Sequence, residues 1–230
     1  MPRESKKAKC ERALIVCERM NQRYPAAECA LHFTDPFTLV IAVLLSAQTT
    51  DKAVNSVTPT LFKKWPTAEA MAAASPVEVG DVIHRLGFFR TKSQHVVETA
   101  QKIMADFGGE VPRTMDELTS LPGVGRKTAN IVLNNAFGIV EGIAVDTHVY
   151  RIATRLKLTN ASSPAAAEKD ILAVIPRTMW GPVNHQWVLF GREICDAKKP
   201  LCAECPLNDI CPSAFKAQGN PIKKRKTRQK

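Results

Sequence analysis

A chain of 230 residues, 45% of them apolar, is long enough for one large domain or two small ones and has an ordinary globular composition. Its longest apolar run, Leu39–Leu45, is far too short to span a bilayer, and no apolar stretch follows the basic start Met1–Lys7, so neither a membrane span nor a secretory leader is expected. The net charge of +10 sits in two tails: residues 216–230 carry seven basic residues and no acid, residues 1–9 contribute +3, and the stretch between them sums to zero. The expectation is an intracellular protein whose disordered tails add salt-sensitive attraction to phosphates. The folded body must then recognise any polyanion by local placement of groups. Pro221–Lys226 also has the composition of a nuclear-import signal.

Taken in chain order, the segments show helical periodicity and no alternating strand pattern, which predicts an all-α fold. Residues 8–22 form an amphipathic helix with Leu14, Ile15 and Cys17 on its apolar side. Asp35-Pro36 reads as an N-cap followed by proline at the first helical position, opening an apolar core helix over 37–47. A helix follows from Asp51 to Trp65, with a bend expected at Pro59. Short helices start at Thr67 and at Ser75-Pro76, the second ending at Gly87, and another helix spans 91–106 before Gly108-Gly109. Thr114 and Glu117 make a capping box for a helix over 115–120. After the turn Leu121–Gly125, a helix covers 126–137. Asp146 stands where an N-cap belongs for a helix over 147–157, Ser163-Pro164 opens one ending near Val174, and Asn184 opens one to about Glu193.

The turn Leu121-Pro122-Gly123-Val124-Gly125 followed by Arg126-Lys127 is a helix–hairpin–helix signature. Gly123 and Gly125 permit backbone angles that other residues resist and bring N–H groups towards a phosphate oxygen, while the following helix adds its positive end. Leu121 and Val124 anchor the turn in the core, and Ala129, Ile131, Val132 and Ala136 form the buried face of the helix. Lys127 reads as a phosphate contact or as a nucleophile, Asp146 as a helix cap or as a catalytic carboxylate. Cys195, Cys202, Cys205 and Cys211 lie within seventeen positions of one another, a spacing that suits tetrahedral zinc or an iron–sulfur cluster. An odd total of seven cysteines argues against a disulfide framework. Cys10, Cys17 and Cys29 have no ligand spacing. His148 is expected to pack or hydrogen-bond, and His32, His84, His95 and His185 receive no role.

Leu121–Asn130 with Ile143–His148, Leu44–Asp51, Gly87–Lys92 and the terminal cysteines together resemble the endonuclease III family of base-excision DNA glycosylases, over roughly residues 30–212. The resemblance implies two helical lobes flanking a cleft that binds duplex DNA. A segment 1–29 would pack on the cluster lobe. Residues 30–142 would form a helical barrel containing the hairpin (about 115–137), and 143–215 an iron–sulfur domain, followed by the basic tail 216–230. It implies that Lys127 attacks the sugar C1′, that Asp146 stabilises charge in the transition state, and that the four cysteines hold a [4Fe–4S] cluster. Gln48 would enter the space vacated by an extruded base, and Phe88 occupies the position of the family's usually aliphatic wedge. Lys198 and Lys199 would meet phosphates, with the hairpin residues Leu121, Gly123, Val124 and Gly125.

The implied function is a bifunctional DNA glycosylase and abasic-site lyase for oxidised pyrimidines, acting as a monomer in the cytoplasm on the nucleoid. The alternatives are a mismatch-directed pyrimidine glycosylase and a non-catalytic DNA-binding module.

Overall fold

The structure, a computed structural model, describes residues 4–216. The expected basic tail beyond Lys216, with its import-signal-like segment, lies outside the described residues, as do residues 1–3. Among the described residues all regular structure is helical, with eleven α-helices, one 3₁₀ turn and no strand. No helix among them is long and apolar enough to cross a membrane. The described residues divide into two compact units, Cys29–Ala144 and a discontinuous one made of the residues up to Glu28 with those from Val145 onwards.

The discontinuous unit begins with α1 (Lys6–Arg23), whose first turn is capped by the Ser5 hydroxyl accepting from the Ala8 amide. The chain returns to it in α9 (Thr147–Arg155), α10 (Pro164–Leu172), a 3₁₀ turn (Arg177–Met179) and α11 (Trp180–Glu193). Its core is built on Met20, Trp187 and Phe190, all fully buried. Gln186 of α11 donates to the Asn21 carbonyl oxygen Oδ1, and the Tyr24 hydroxyl donates to Glu193. Helices α9 and α11 approach so closely that a Cβ on Gly191 would fall 2.7 Å from His148 Nδ1 and 2.9 Å from Arg151 Nη2.

The continuous unit holds α2 (Pro36–Leu45), α3 (Asp51–Lys64), α4 (Ala68–Ala72), α5 (Pro76–Ile83), α6 (Phe89–Phe107), α7 (Met115–Thr119) and α8 (Arg126–Phe137). Nine of the ten residues of α2 are buried, so this helix is apolar on every side because α3, α6 and α8 pack around it. Its start is fixed by a capping box: Asp35 accepts from the Thr38 amide at 2.9 Å while the Thr38 hydroxyl accepts from the Asp35 amide at 3.1 Å.

Three sequence expectations need correction. Asn184 does not open the last helix: α11 starts at Trp180, and Asn184 is buried within it. The start is set by the 3₁₀ turn and by Pro182, which needs no N–H in a first turn, with the Trp180 indole donating to the Ile175 carbonyl at 2.9 Å. The short helix from Ser75 ends at Ile83, four residues before Gly87. The helix expected over 91–106 starts earlier, at Phe89.

Replacing Asp35 with Ala should destabilise the protein by about 1–2 kcal/mol, the usual cost of a lost N-cap. Thermal unfolding checks this, and an unchanged midpoint would show that α2 needs no cap.

Candidate functional site

Helix α7 is short and capped by Thr114, whose hydroxyl accepts from the Glu117 amide at 3.3 Å and lies 2.6 Å from the Glu117 carboxylate. The chain then turns through Ser120–Gly125 into α8. Leu118, Leu121 and Val124 are buried and pin the turn from below, and the Val124 amide donates to the Leu121 carbonyl at 3.1 Å. The fully buried Thr99 of α6 donates its hydroxyl to the Pro122 carbonyl at 2.7 Å.

Gly123 has φ +73°, and an added Cβ would lie 2.8 Å from His95 Nδ1, so both backbone and space require glycine there. Gly125 differs from the expectation. Its φ of −95° and ψ of 174° suit any residue, and nothing lies within 4 Å of an added Cβ. Leu121 and Val124 likewise can offer only main-chain atoms to a ligand, because their side chains are buried.

Gly125 is the N-cap of α8, and no side chain caps that helix start. Lys127 stands in its first turn and is exposed. On the inward side Ala129, Ile131, Val132 and Leu133 are buried, while Ala136 is only half-buried.

Two further expected residues stand on strained backbone in the same unit. Gln48, in the turn between α2 and α3, has φ +52° and is exposed. Phe88, the N-cap of α6, has φ +58° and is 67% exposed, with no side-chain cap on the helix. A non-glycine residue in the left-handed region costs about 1–2 kcal/mol. Placing a large apolar ring in water adds to that cost. Such strain makes both residues candidates for a functional role.

Asp146 lies in the other unit, as the N-cap of α9. Its Oδ1 accepts from both the His148 and Val149 amides at 2.8 Å, so the cap uses one carboxylate oxygen and not Oδ2. His148 packs on Gly191, and Arg151 lies 3.1 Å from its Nδ1. A guanidinium can only donate, so Nδ1 accepts. Burial holds the His148 pKa below its ordinary value, opposed by Asp146 and reinforced by Arg151, which favours a packing role over one as a proton carrier.

The four expected cysteine ligands all line one pocket with apolar walls that include Ile152, Leu156, Phe190, Leu201 and Leu207. No group of three or more His, Cys, Asp or Glu side chains among the described residues is placed to hold a single metal ion. Four thiols lining one apolar pocket are the donor set that an iron–sulfur cluster requires. Burial, followed by the neighbouring thiols, pushes the Cys205 pKa up to about 11, and burial likewise raises Cys211. A cluster held by these four cysteines would offset that cost, because its cationic iron favours the thiolates.

Helix α9 holds the start of this loop. Arg155 donates to the carbonyls of Cys195 (3.1 Å), Asp196 (2.6 Å) and Ala197 (2.9 Å), and contacts the Cys195 sulfur at 3.2 Å. Arg151 donates to the Cys195 and Gly191 carbonyls at 3.0 and 2.9 Å. Lys198 and Lys199 are exposed, and both their amides donate to Asp196 Oδ1, which holds that carboxyl below its ordinary pKa.

Arg151, Arg155 and His95 were not marked by the motifs, and Lys92, the last residue of the Gly87–Lys92 stretch, was given no role. The signal for the first two was an i, i+4 arginine pair behind the Asp146 cap. For Lys92 it was a lysine one turn before Val96 on the buried stripe of α6.

Comparison with known proteins matches residues 41–177 to the HhH-GPD superfamily of base excision DNA repair proteins and residues 195–211 to the iron–sulfur binding domain of endonuclease III. The endonuclease III of Synechocystis sp. is 45% identical over 91% of this chain and 94% of its own length. Two solved structures, a non-covalent endonuclease III–DNA complex and a trapped endonuclease III–DNA covalent intermediate, each superpose with a TM-score of 0.85 at 40% identity, covering 90% of this chain and 97% of theirs. The cofactor of these proteins, a [4Fe–4S] cluster, fits the four thiols around the apolar pocket. By sequence, helical architecture and cysteine centre alike, the chain belongs to the endonuclease III family, the DNA glycosylases and abasic-site lyases of base excision repair.

Proposed function

We propose that Lys127 is the nucleophile that removes oxidised pyrimidines from duplex DNA, with Asp146 as its carboxylate partner. The observation that carries this reading is the exposed Lys127 amine in the first turn of α8, behind a glycine N-cap with no side chain to occupy the helix start. The positive end of α8 and the main chain of the turn receive a DNA phosphate, and the amine then stands beside the adjoining sugar.

An ordinary lysine amine, with a pKa of about 10.4, is less than ~0.1% neutral at pH 7, and only the neutral form attacks carbon. Because Lys127 is exposed in the free protein, its desolvation comes from the DNA that covers it. The amine bonds to C1′, the glycosidic bond breaks, and the base leaves with that electron pair and takes up a proton. The sugar ring opens to an iminium at Lys127. Loss of a C2′ proton then drives cleavage of the C3′–O bond, and the 3′ phosphate leaves. Positive charge develops on the sugar in the first step, and a carboxylate stabilises it. The Asp146 oxygen that does not cap α9 serves that purpose.

Gln48 and Phe88 enter the duplex where the damaged base has left it, and their exposed, left-handed placement supports this role. The phenyl ring of Phe88 both wedges a base step and stacks on one. Lys198 and Lys199 add phosphate contacts from the cysteine loop. The Cys195, Cys202, Cys205 and Cys211 thiolates hold the cluster, which orders that loop and supplies no step of the chemistry. The enzyme works as a monomer on chromosomal DNA in the cytoplasm.

Lys127→Gln should abolish strand cleavage and borohydride trapping to DNA, with thermal stability unchanged within about 0.5 kcal/mol for an exposed side chain. A surviving trapped complex would remove Lys127 from the mechanism. Asp146→Asn keeps a capping oxygen and loses the charge, so it should lower base removal roughly 100-fold while folding and DNA affinity stay near normal. Unchanged turnover would leave Asp146 a cap alone.

The two glycines separate as well. Gly123→Ala forces a left-handed backbone and a clash with His95, and should cost about 2 kcal/mol or more in thermal unfolding. Gly125→Ala should leave unfolding nearly unchanged and weaken DNA binding, because a Cβ there meets only the incoming phosphate. Equal effects of the two on stability would contradict the geometry. Purified anaerobically, the protein should be brown with absorption near ~400 nm and lose that band in a Cys202→Ala variant. A colourless, zinc-loaded protein would overturn the cluster assignment.

A further inference from the structure

Lys92 lies on α6, one turn after Phe88, and is only 5% exposed. Its amide donates to the Phe88 carbonyl at 3.0 Å, which is the first hydrogen bond of the helix. Its ammonium donates to the Thr49 hydroxyl at 2.5 Å, forty-three positions back along the chain. Thr49 in turn donates to the Ala47 carbonyl at 3.3 Å, and its amide to the Ser46 carbonyl at 3.1 Å, so its bonds span Gln48. One residue therefore joins the two exposed left-handed non-glycine positions of this unit by its main chain at one end and its side chain at the other. Lysine is seldom buried without a charged partner. The burial lowers the ammonium's pKa, and no neighbouring charge opposes that shift. Holding a cation there is unfavourable, and a methionine of similar length would fill the same space without that cost.

We propose that Lys92 is a positioning residue that couples Gln48 to Phe88, fixing both in the strained conformations in which they enter the DNA stack. This rests on the reading that those two residues fill the gap left by the extruded base. The link lets the turn before α3 and the start of α6 act as one rigid wedge. Without it, each strained residue relaxes separately, and the conformer able to enter the stack becomes a minor one.

The experiment uses full-length, cluster-loaded protein and three variants: Lys92→Met, Thr49→Val and the double variant. Three quantities are read: single-turnover excision of an oxidised pyrimidine, fluorescence of 2-aminopurine placed opposite a stable abasic-site analogue, and the unfolding midpoint. Each variant should lose roughly tenfold in excision, equivalent to about 1.4 kcal/mol, together with the fluorescence change. Thr49→Val strands a buried ammonium and should lower the midpoint, whereas the double variant replaces the whole pair with apolar groups and should recover it. Excision and fluorescence should stay impaired in the double variant, with a loss no greater than that of either single.

If activity returns with stability, if the losses simply add, or if Lys92→Met changes neither activity readout, Lys92 does not position the wedge. Gln48→Ala and Phe88→Ala distinguish the underlying reading. If they leave the fluorescence intact, it is the wedge role that fails. If they abolish it while Lys92→Met does not, only the coupling fails.

Discussion

The start of a helix leaves N–H groups that something must satisfy, and this chain treats that requirement in two ways. In the continuous unit, Asp35, Thr50, Thr67, Ser75 and Thr114 each cap a helix with a side-chain oxygen. The two helices of that unit with no such cap are α6, which begins at Phe88, and α8, which carries Lys127. In this unit capping oxygens are placed where a helix start only has to hold the fold. They are left out where, in our reading, DNA meets the protein. The folded body has no net charge between its tails. Its affinity for a polyanion then depends on such local arrangements rather than on a general field.

The discontinuous unit uses a cap differently. Asp146 satisfies two amides of α9, and the same helix presents Arg151 and Arg155 to the main chain around Cys195. A single short helix thus fixes the carboxylate at one end and the cysteine loop along its side. The close packing at Gly191 keeps α9 seated on α11. This gives the cysteine centre a structural meaning, since it braces the helix that carries Asp146.

Much of this was legible in the sequence because it is written in local chemistry. The bounds of α8 follow from Gly125 and Gly138 and from the apolar spacing between them. The Asp146 cap, the Asp35-Pro36 start and the Gly108 stop need no knowledge of the rest of the chain. What the sequence hid depends on residues distant in the chain. Gly123 is required as much by His95, twenty-eight positions earlier, as by its own φ, and the motif alone made it equal to Gly125. The start of α11 depended on a 3₁₀ turn whose indole bond cannot be seen in periodicity. The partner of Lys92 is Thr49, forty-three positions earlier, which no local pattern reveals.

The divided carboxylate of Asp146 limits what this position can become. Serine, threonine and asparagine can close a helix start but carry no charge, while glutamate carries the charge on a stem too long for the same closure. Aspartate alone belongs to both sets. Selection for a stable protein and selection for an active one would therefore accept different neighbours of this residue. If Asp146 is the catalytic carboxylate we propose, a library of variants sorted only by solubility or heat resistance would keep inactive forms at position 146 and give no sign of having done so.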